Sequence, residues 1–392
     1  MINRPAYEPI TRPIWLDRIQ RAWSARPIVW LSGVRRVGKT TLARLIPDAK
    51  YLNCDLPSVV RALSDPELLL AAQPPGSVLI LDEIQRLPDP SLPLKIAADE
   101  HPHLRVLATG SSTLTARGRF RDTLTGRKRS IHLCPVLWEE CASPFGIADF
   151  DRRLLHGGLP EALLADTPSP EDCAEWIDSF YARDILELFG VRNRHGFLSL
   201  LRLLLRWSGG LVDVARLSRL TGLSRPTVKS YLEALEVAHA MRLLRPFRSG
   251  AAGEIVSRPK CYGFDTGFVA FEKGWTQIRE DDRGLLWEHL VLDTLSCRFP
   301  AEDVFYWRNK AGREIDFVVR RDDGGVDTVE CKINADGVSP RAAKAFRRRV
   351  PAGANLVVTP GGGPPYRMQR GGIDFVVGGV ALLDPSAPPP AG

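Results

Sequence analysis

Nine residues near the start of the chain have the composition and spacing of a phosphate-binding loop. Residues 33–41 read Gly-Val-Arg-Arg-Val-Gly-Lys-Thr-Thr, and an apolar run, residues 27–32, precedes them. Glycines let the backbone approach phosphates closely, and amide groups at a helix N-terminus point toward the anion. In this pattern Lys39 reaches the β- and γ-phosphates of ATP, and the Thr40 hydroxyl coordinates Mg²⁺. The candidate nucleotide-binding residues are therefore Gly33, Val34, Arg35, Arg36, Val37, Gly38, Lys39, Thr40 and Thr41.

A pair of carboxylates follows a second apolar run. Residues 77–83 read Ser-Val-Leu-Ile-Leu-Asp-Glu. A continuous apolar run is typical of a parallel strand that is covered on both faces. Open α/β sheets bind their ligands at the carboxyl ends of such strands. We therefore expect Asp82 to hold Mg²⁺ and Glu83 to act as the general base that polarises the attacking water.

Hydroxyl side chains end a third apolar run. Residues 104–112 read Leu-Arg-Val-Leu-Ala-Thr-Gly-Ser-Ser. At the end of a neighbouring strand, Thr109 and Ser111 would be placed to contact the γ-phosphate or to position the water. Serine and threonine also end strands for reasons of turn geometry alone, so both interpretations stay open for this segment.

A second set of chemically active residues lies in the last third of the chain. We predict strands at residues 304–308, 314–319 and 326–332 from the apolar pattern. Asp316 and Glu330 would then lie on neighbouring strands and converge on one cation, with Glu288 as a third carboxylate from the preceding helix. Lys332 lies two residues after Glu330, on the same face of its strand, where its ammonium group can orient water or stabilise a phosphorane.

The predicted order of these elements is helix, three strands, helix, strand. This order, with Asp316, Glu330 and Lys332, resembles the core of restriction endonucleases with a PD-(D/E)xK site. The match departs at Ile315, where the motif's name has proline. The resemblance implies DNA cleavage, but a nuclease-like domain that only binds its ligand is an open alternative.

The middle of the chain contains the pattern of a helix-turn-helix. Residues 217–235 contain two amphipathic stretches separated by Gly222, and Ser224 can cap the second helix. Residues 241–248 and 260–264 are predicted strands of a wing. The exposed face of the second helix is basic and polar, which suits contact with DNA, although winged helices also serve protein contacts alone. The candidate DNA-binding residues are Arg225, Thr227, Lys229 and Ser230.

Several motifs together resemble a family of bacterial and archaeal AAA+ type ATPases. They are the phosphate loop, Leu-Ile-Leu-Asp-Glu, Leu-Ala-Thr-Gly-Ser-Ser, Leu-Thr-Gly-Arg, and His-Gly-Gly-Leu-Pro-Glu at residues 156–161. The resemblance implies that Asp82 and Glu83 form the Walker B pair, and that Thr109 or Ser111 senses the γ-phosphate. It also implies a helical lid and an arginine finger that is presented to a neighbouring subunit. An arginine supplied in this way requires a homo-oligomer, for example a ring. The candidate finger residues are Arg117, Arg119, Arg121 and Arg127.

The overall expectation is an α/β protein of several domains. Its 392 residues, 44% hydrophobic and 25% charged, suit a soluble globular chain. The formal net charge of +7 permits a polyanionic partner. Scattered cysteines and an N-terminus without an apolar segment predict a cytoplasmic protein. The predicted domains are the ATPase core (1–136), the lid (137–185), the winged helix-turn-helix (186–265), the nuclease-like domain (266–384) and a disordered tail (385–392).

These expectations lead to three hypotheses. The first is a Mg²⁺-dependent ATPase that acts on duplex or branched DNA through the winged helix and the nuclease-like domain. The second is a structure-selective DNA nuclease regulated by ATP. The third is a nucleotide-dependent switch in regulation or defence that does not cut DNA. The intact Glu83 mildly favours a hydrolysing enzyme over a pure switch.

Overall fold

A computed structural model describes residues 9–110, 123–248 and 257–385. Ser111, Arg117, Arg119 and Arg121 lie outside the described residues, as does the predicted tail from residue 386 onward. The chain is a mixed α/β protein with a parallel sheet in its N-terminal third, as predicted.

The N-terminal sheet has five parallel strands in the order β2-β3-β4-β1-β5. The strands are β1 (Ile28–Ser32), β2 (Ala49–Asn53), β3 (Val78–Asp82), β4 (Arg105–Thr109) and β5 (Lys128–His132). All five residues of β1 are buried, which explains why this strand reads as an unbroken apolar run. The carboxyl ends of β1, β3 and β4 therefore meet at one edge of the sheet, where the phosphate loop also begins.

The helices described between residues 9 and 110 are α1 (Pro13–Ala25), α2 (Lys39–Arg44), α3 (Pro57–Ala62), α4 (Pro66–Ala71) and α5 (Ser91–Glu100). The sequence pattern predicts a single helix over residues 60–72, and this prediction is wrong. Pro66 lacks an amide hydrogen and cannot continue a helix, while the Asp65 carboxylate accepts from the amide of Leu68 and caps a new one.

The segment expected to form the lid is helical. It contains α6 (Trp138–Ala142), α7 (Phe150–His156), α8 (Pro160–Leu164) and α9 (Pro170–Phe180), and α10 (Glu187–Phe189) follows just beyond its predicted end at residue 185. A π-helical stretch, Tyr181–Leu186, joins the last two of these helices.

The middle segment contains α11 (Arg194–Arg206), α12 (Val214–Thr221), α13 (Arg225–Val237), β6 (Met241–Leu244) and β7 (Lys260–Gly263). The pattern predicts α12, α13 and both strands, although β6 is shorter than the predicted residues 241–248, and it does not predict α11. Gly222 adopts a left-handed φ of 70° in the turn, and Ser224 Oγ accepts from the amide of Thr227 at 3.2 Å. The strands β6 and β7 pair in antiparallel fashion. Classification of this segment as a winged helix stays a prediction.

The C-terminal part is built around a six-stranded sheet in the order β12-β13-β11-β10-β9-β8. Its elements are α14 (Thr266–Lys273), α15 (Glu280–Arg298), β8 (Val304–Arg308), β9 (Glu314–Arg320), β10 (Val326–Cys331), α16 (Pro340–Arg347), β11 (Asn355–Val358), β12 (Tyr366–Arg370) and β13 (Ile373–Gly378). From α15 to β11 the order is helix, three strands, helix, strand, as predicted. The hairpin of β12 and β13 extends the sheet beyond that prediction. The nuclease-like interpretation stays a prediction.

One apolar core connects these parts of the chain. Trp176 of α9 stacks on Phe180 and on Phe264, and it meets Phe268 of α14 edge-on. The same buried cluster includes residues of the N-terminal sheet and of α15. Within the described ranges, which contain all seven cysteines, no disulfide forms. Among the described helices, none has the length and apolar character needed to cross a lipid bilayer.

Candidate functional site

The phosphate loop connects β1 to α2, and its glycines adopt conformations that other residues rarely take. Gly33 has a φ of 153° and Gly38 a φ of 99°. A Cβ on Gly33 would lie only 2.7 Å from the carbonyl oxygen of Leu133. Glycine is therefore required at position 33 by space as well as by the backbone angle.

Lys39 begins α2 and lies against the loop that precedes it. Its Nζ donates to the carbonyl oxygens of Gly33 at 2.9 Å and of Val34 at 3.0 Å. Burial lowers the pKa of Lys39, and the charges of Glu83 and Asp184 only partly oppose this effect. The ammonium group is thus held beside the loop, and no carboxylate of the described residues lies within ion-pair distance of it, which suits contact with an anionic ligand.

Asp82 lies at the end of β3 and gathers hydroxyl groups from three elements. Its Oδ2 accepts from Thr40 Oγ1 at 2.9 Å and from the hydroxyl of Tyr51, while Oδ1 accepts from Thr109 Oγ1. The pKa of Tyr51 is raised to about 12 by burial and by this hydrogen bond, so Tyr51 remains a donor. Thr40 and Asp82 offer hard oxygen ligands side by side, and this donor set fits Mg²⁺.

Glu83 follows Asp82 in a left-handed backbone conformation, with a φ of 56°. Its amide donates to Thr109 Oγ1 at 3.2 Å, and its carboxylate accepts from Gln85 Nε2. A non-glycine residue in this conformation costs about 1 kcal/mol or more, and such strain is concentrated at functional sites. The turn directs the half-buried carboxylate of Glu83 toward the cavity that the phosphate loop borders.

This cavity has a volume of about 730 Å³. One part of its wall is polar and includes Lys39, Thr40 and Glu83, while another part includes the apolar side chains Ile10, Phe145 and Leu164. Phe145 and Leu164 come from the helical segment after residue 137. The cavity wall therefore combines groups that can bind an anion with an apolar surface, and the helical segment contributes to that apolar surface.

Two further residues of the cavity wall were not predicted from the sequence. Arg183 and Asp184 lie on the π-helical stretch, and Asp184 forms an ion pair with Arg35 at 3.7 Å. Arg183 is exposed on the same wall and adds a second cation to it. π-Helical turns are frequent at functional sites, but no sequence pattern announces one.

Arg127 is the one candidate finger residue that the structure describes. Its guanidinium group binds both carboxylate oxygens of Asp99, at 2.6 and 3.0 Å. This side-chain hydrogen bonding raises the pKa of Arg127 and lowers that of Asp99. Arg127 is therefore engaged within its own chain, and contact with a neighbouring subunit would have to break this pair.

The second predicted site gathers Asp316, Glu330 and Lys332. Lys332 Nζ donates to Glu330 Oε2 at 3.0 Å and to Asp316 Oδ2 at 3.3 Å. The amide of Cys331 donates to the same oxygen of Asp316 at 2.8 Å. Although burial opposes it, the charges of Asp316 and Glu330 raise the pKa of Lys332. The antiparallel strands β9 and β10 thus bring these three side chains together, as their spacing predicts.

Glu288 faces a different set of partners. Its Oε2 accepts from the hydroxyl of Tyr262 at 2.9 Å and lies 3.7 Å from Lys260 Nζ, which also pairs with Glu314. Burial, and then the charge of Asp316, raise the pKa of Glu288 to about 7. Burial and Asp316 have the same effect on Glu330, whose pKa is also about 7.

The assignment of Glu288, Asp316 and Glu330 as joint metal ligands stays a prediction. In the part of the chain that the structure describes, no three carboxylate, imidazole or thiolate side chains are grouped to hold a metal ion. Lys332 and Lys260 supply the positive charge instead. Sequence analysis missed Lys260 because it belongs to β7, outside the predicted nuclease-like domain.

The predicted DNA-contact residues lie on the outer face of α13. Arg225, Lys229 and Ser230 are exposed, and Thr227 is half-buried. Val228, Tyr231, Leu232 and Leu235 of the same helix are buried. The amphipathic division of the helix therefore matches the sequence pattern and leaves the polar face accessible.

Comparison with known proteins divides the chain into three matched segments. Residues 25–142 match the family described as "AAA domain", and residues 147–279 and 283–377 match two families described as domains of unknown function. The uncharacterized protein Rv2008c of Mycobacterium tuberculosis is 30% identical over 317 residues, which cover 77% of this chain and 69% of that protein. MJ1544 of Methanocaldococcus jannaschii is 24% identical over 353 residues, covering 81% of this chain and 77% of that protein.

Among solved structures, the Holliday junction branch migration motor RuvB of Thermotoga maritima is 20% identical, with a TM-score of 0.29. That match covers 60% of this chain and 90% of the RuvB chain. A score at this level supports no conclusion about function.

Proposed function

This chain belongs to the family of the mycobacterial protein Rv2008c, its N-terminal part is an AAA domain, and we propose that it hydrolyses ATP with Mg²⁺. The observation that carries the proposal is the hydrogen bond of 2.9 Å between Thr40 Oγ1 and Asp82 Oδ2 at the edge of the 730 Å³ cavity. It brings the ends of the phosphate loop and of β3 together, as binding of a nucleotide with its metal requires.

The residues of the cavity have distinct roles in this reaction. Lys39, the loop amides and Arg183 neutralise charge on the phosphates, while Thr40 and Asp82 hold Mg²⁺, which adds further neutralisation. Glu83 accepts the proton of the attacking water, and Thr109 fixes the backbone of Glu83 and the side chain of Asp82. Ser111 is proposed as a second hydroxyl near the γ-phosphate.

The apolar end of the cavity supports a nucleotide in preference to a smaller phosphate ligand. Ile10, Phe145 and Leu164 form a surface on which a purine base can pack. Phosphate alone would leave this surface exposed to water, which is unfavourable.

Titration calorimetry of ATP with Mg²⁺ tests the proposal. We expect binding by the wild type and a loss of at least about tenfold in affinity for Lys39→Ala, because a charge-assisted contact to phosphate is removed. Lys50→Ala is the matched control, since Lys50 lies on β2 and outside the cavity wall. Absence of binding heat with folded wild-type protein would overturn the proposal.

We further propose that DNA is the partner of this ATPase. The exposed polar face of α13, with Arg225 and Lys229, is the surface that supports this proposal. Removing both charges should weaken binding to duplex or branched DNA and reduce its dependence on salt by about two ions. Arg341→Ala with Lys344→Ala is the matched control, because it removes the same charge from exposed positions of α16. If both double variants weaken DNA binding equally, the effect is non-specific electrostatic attraction, and the proposed role of α13 is wrong.

An ATP-regulated DNA nuclease is the second candidate, favoured by the convergence of Asp316, Glu330 and Lys332. Incubation of branched and linear DNA with Mg²⁺ or Mn²⁺ tests it, with Asp316→Ala as the inactive variant. Cleavage by the wild type alone would support this candidate. No cleavage, together with very slow ATP hydrolysis and nucleotide-dependent assembly, would instead favour the non-cutting switch.

Assembly into a homo-oligomer, such as a ring, is proposed because an arginine supplied by a neighbouring subunit would complete the cavity. Arg117, Arg119 and Arg121 are the candidates, since Arg127 is paired with Asp99. Light scattering of the full chain with and without ATP should show a larger assembly with nucleotide.

A further inference from the structure

The turn between α7 and α8 touches the nucleotide cavity at one end and the C-terminal part of the chain at the other. Pro160 and Glu161 line the cavity, and the ring of Pro160 lies 3.7 Å from the position that a Cβ on Gly38 would take. Three residues earlier, Gly157 and Gly158 pack against Asp265, the residue that caps α14. A single short turn therefore spans the distance between the phosphate loop and α14.

Asp265 holds the turn by its side chain. Its Oδ2 accepts from the amide of Gly158 at 2.6 Å, and its Oδ1 accepts from the amide of Gly267 at 2.9 Å. A Cβ on Gly157, whose φ is 80°, would lie 1.9 Å from Oδ1. With only 2% of its surface exposed, Asp265 is a buried carboxylate whose two oxygens each bind a different segment. Such charge-assisted hydrogen bonds are strong and directional.

The side chains around this contact leave no room for the turn to shift relative to α14. Arg153 is fully buried, donates to Val136 O at 2.8 Å and to Thr266 Oγ1 at 3.1 Å, and would collide with a Cβ on Gly158. From the other side, a Cβ on Gly267 would lie 2.5 Å from the carbonyl oxygen of His156. Close-packed glycines on both sides mean that the turn and α14 move together or not at all.

We propose that Asp265 is a positioning residue of the nucleotide site: it fastens the turn that carries Pro160 and Glu161 to α14, so that nucleotide binding is transmitted to the C-terminal part. The inference rests on the proposed ATP site. It assigns a role to the His-Gly-Gly-Leu-Pro-Glu segment and to Asp265 that neither the phosphate loop nor the carboxylates of β3 supply. Asp265 touches no ligand and acts only through the turn.

Amide hydrogen exchange of the full chain, with and without ATP and Mg²⁺, tests the inference. In the wild type, nucleotide should slow exchange in residues 33–41, 157–164 and 266–273. In Asp265→Asn, the slowing should persist at residues 33–41 and disappear at residues 266–273. The KM for ATP should rise by about three- to tenfold, because an amide nitrogen now faces the amide of Gly158, while kcat changes by less than about twofold.

Asp293→Asn is the matched control. Asp293 is another buried carboxylate beside Arg153, at 3.6 Å, but it pairs with Arg242 rather than with the turn. It should lower the melting temperature as Asp265→Asn does, yet keep the slowing at residues 266–273 and the wild-type KM. The same loss of slowing in both variants would reduce Asp265 to a structural role and overturn the inference.

The wild type separates the two claims. No slowing at residues 33–41 would overturn the proposed ATP site itself. Slowing at residues 33–41 without slowing at residues 266–273 would overturn the inference alone. If Asp265→Asn does not fold, Gly157→Ala disturbs the same contact from the turn, and it should give the same loss at residues 266–273 and the same rise in KM.

Discussion

The nucleotide cavity and the carboxylate cluster of the C-terminal sheet (Asp316, Glu330 and Lys332) each contain a lysine near carboxylates. The pKa of that lysine is shifted in opposite directions in the two regions. In the cavity, burial lowers the pKa of Lys39, whose hydrogen bonds go to backbone carbonyls. In the cluster, the charges of Asp316 and Glu330 overcome burial and raise the pKa of Lys332. A ligand anion would complete the first arrangement, whereas a ligand cation would have to displace an ammonium group from the second. The cavity is therefore the stronger candidate for binding and catalysis.

The largest expected effect concerns Glu83. Glu83→Gln should lower kcat for ATP hydrolysis by about 100-fold or more, because the amide cannot accept the proton of the attacking water. The dissociation constant for ATP should change by less than about threefold, since the proposed role of Glu83 lies in the chemical step and not in holding the phosphates. Steady-state kinetics and calorimetry measure the two quantities. Glu175→Gln is the control, because Glu175 is an exposed carboxylate that pairs with Arg36. Hydrolysis at the wild-type rate would remove Glu83 from the mechanism and weaken the contrast with the cluster.

The two lysines provide the next test, which measures stability. Lys332→Met leaves Asp316 and Glu330 without their shared cation, and the free energy of unfolding should fall by about 2–3 kcal/mol. Lys39→Met removes a buried cation that no carboxylate pairs directly, so the change should stay within about 1 kcal/mol. Urea unfolding of both variants at neutral pH measures the difference. Equal losses would show that the two ammonium groups are electrostatically equivalent, contrary to the comparison.

The dependence of stability on pH follows from Glu288 and Glu330. Their folded-state pKa values of about 7 exceed the ordinary glutamate value of 4.5, so the folded chain binds more protons than the unfolded chain between these values. Their contribution to stability is therefore present below about pH 4.5 and is lost as the pH rises through about 7. Each group should account for about 1–2 kcal/mol over this window.

Glu288→Gln isolates this effect from other titrating groups. Urea unfolding between about pH 5 and about pH 8 should show a smaller decline in stability for the variant than for the wild type. His132 and His239, whose pKa values are lowered chiefly by burial, act in the opposite direction in both proteins and cancel in the difference. An unchanged decline would mean that Glu288 is already ionised in the folded chain near neutral pH.

The two regions also differ in how much of their structure could be predicted from the sequence. The phosphate loop is predictable because its geometry is local: residues 33–41 lie between one strand and one helix, and glycine is needed at position 33 by its own backbone. The pairing of Asp316 with Lys332 is predictable from strand alternation. The involvement of Lys260 is not, because β7 reaches Glu288 and Glu314 only through tertiary packing.

The cavity residues that were not predicted from the sequence also depend on tertiary packing. Arg183 and Asp184 lie on the π-helical stretch that follows α9. α9 contacts the phosphate loop through Trp176, whose Nε1 donates to the carbonyl oxygen of Arg35 at 3.1 Å. The break at Pro66, in contrast, was visible in the sequence, since proline seldom continues a helix. Local rules thus predicted the position of the phosphate loop, while the part of the wall that carries Arg183 and Asp184 is set by contacts between distant segments.

The smallest expected effect compares two tyrosines that donate to carboxylates. Tyr51 donates to Asp82, and Tyr262 donates to Glu288. Tyr51→Phe should lower kcat/KM for ATP by less than about threefold, because the hydroxyls of Thr40 and Thr109 still hold Asp82. Tyr262→Phe should leave kcat/KM unchanged and destabilise the chain by about 1 kcal/mol, since Glu288 loses its hydroxyl donor.

Steady-state kinetics and urea unfolding of both variants measure this contrast. A loss of kcat/KM beyond about tenfold in Tyr51→Phe would mean that the Tyr51 hydroxyl is needed to orient Asp82, and that the hydroxyls of Thr40 and Thr109 cannot replace it. A small loss would mean that the two threonines, one on each oxygen of Asp82, suffice to hold its carboxylate. Glu288 is held differently, because besides the hydroxyl of Tyr262 it has Lys260 at 3.7 Å, and that lysine is shared with Glu314. Its carboxylate is therefore fixed by partners that a ligand would have to replace.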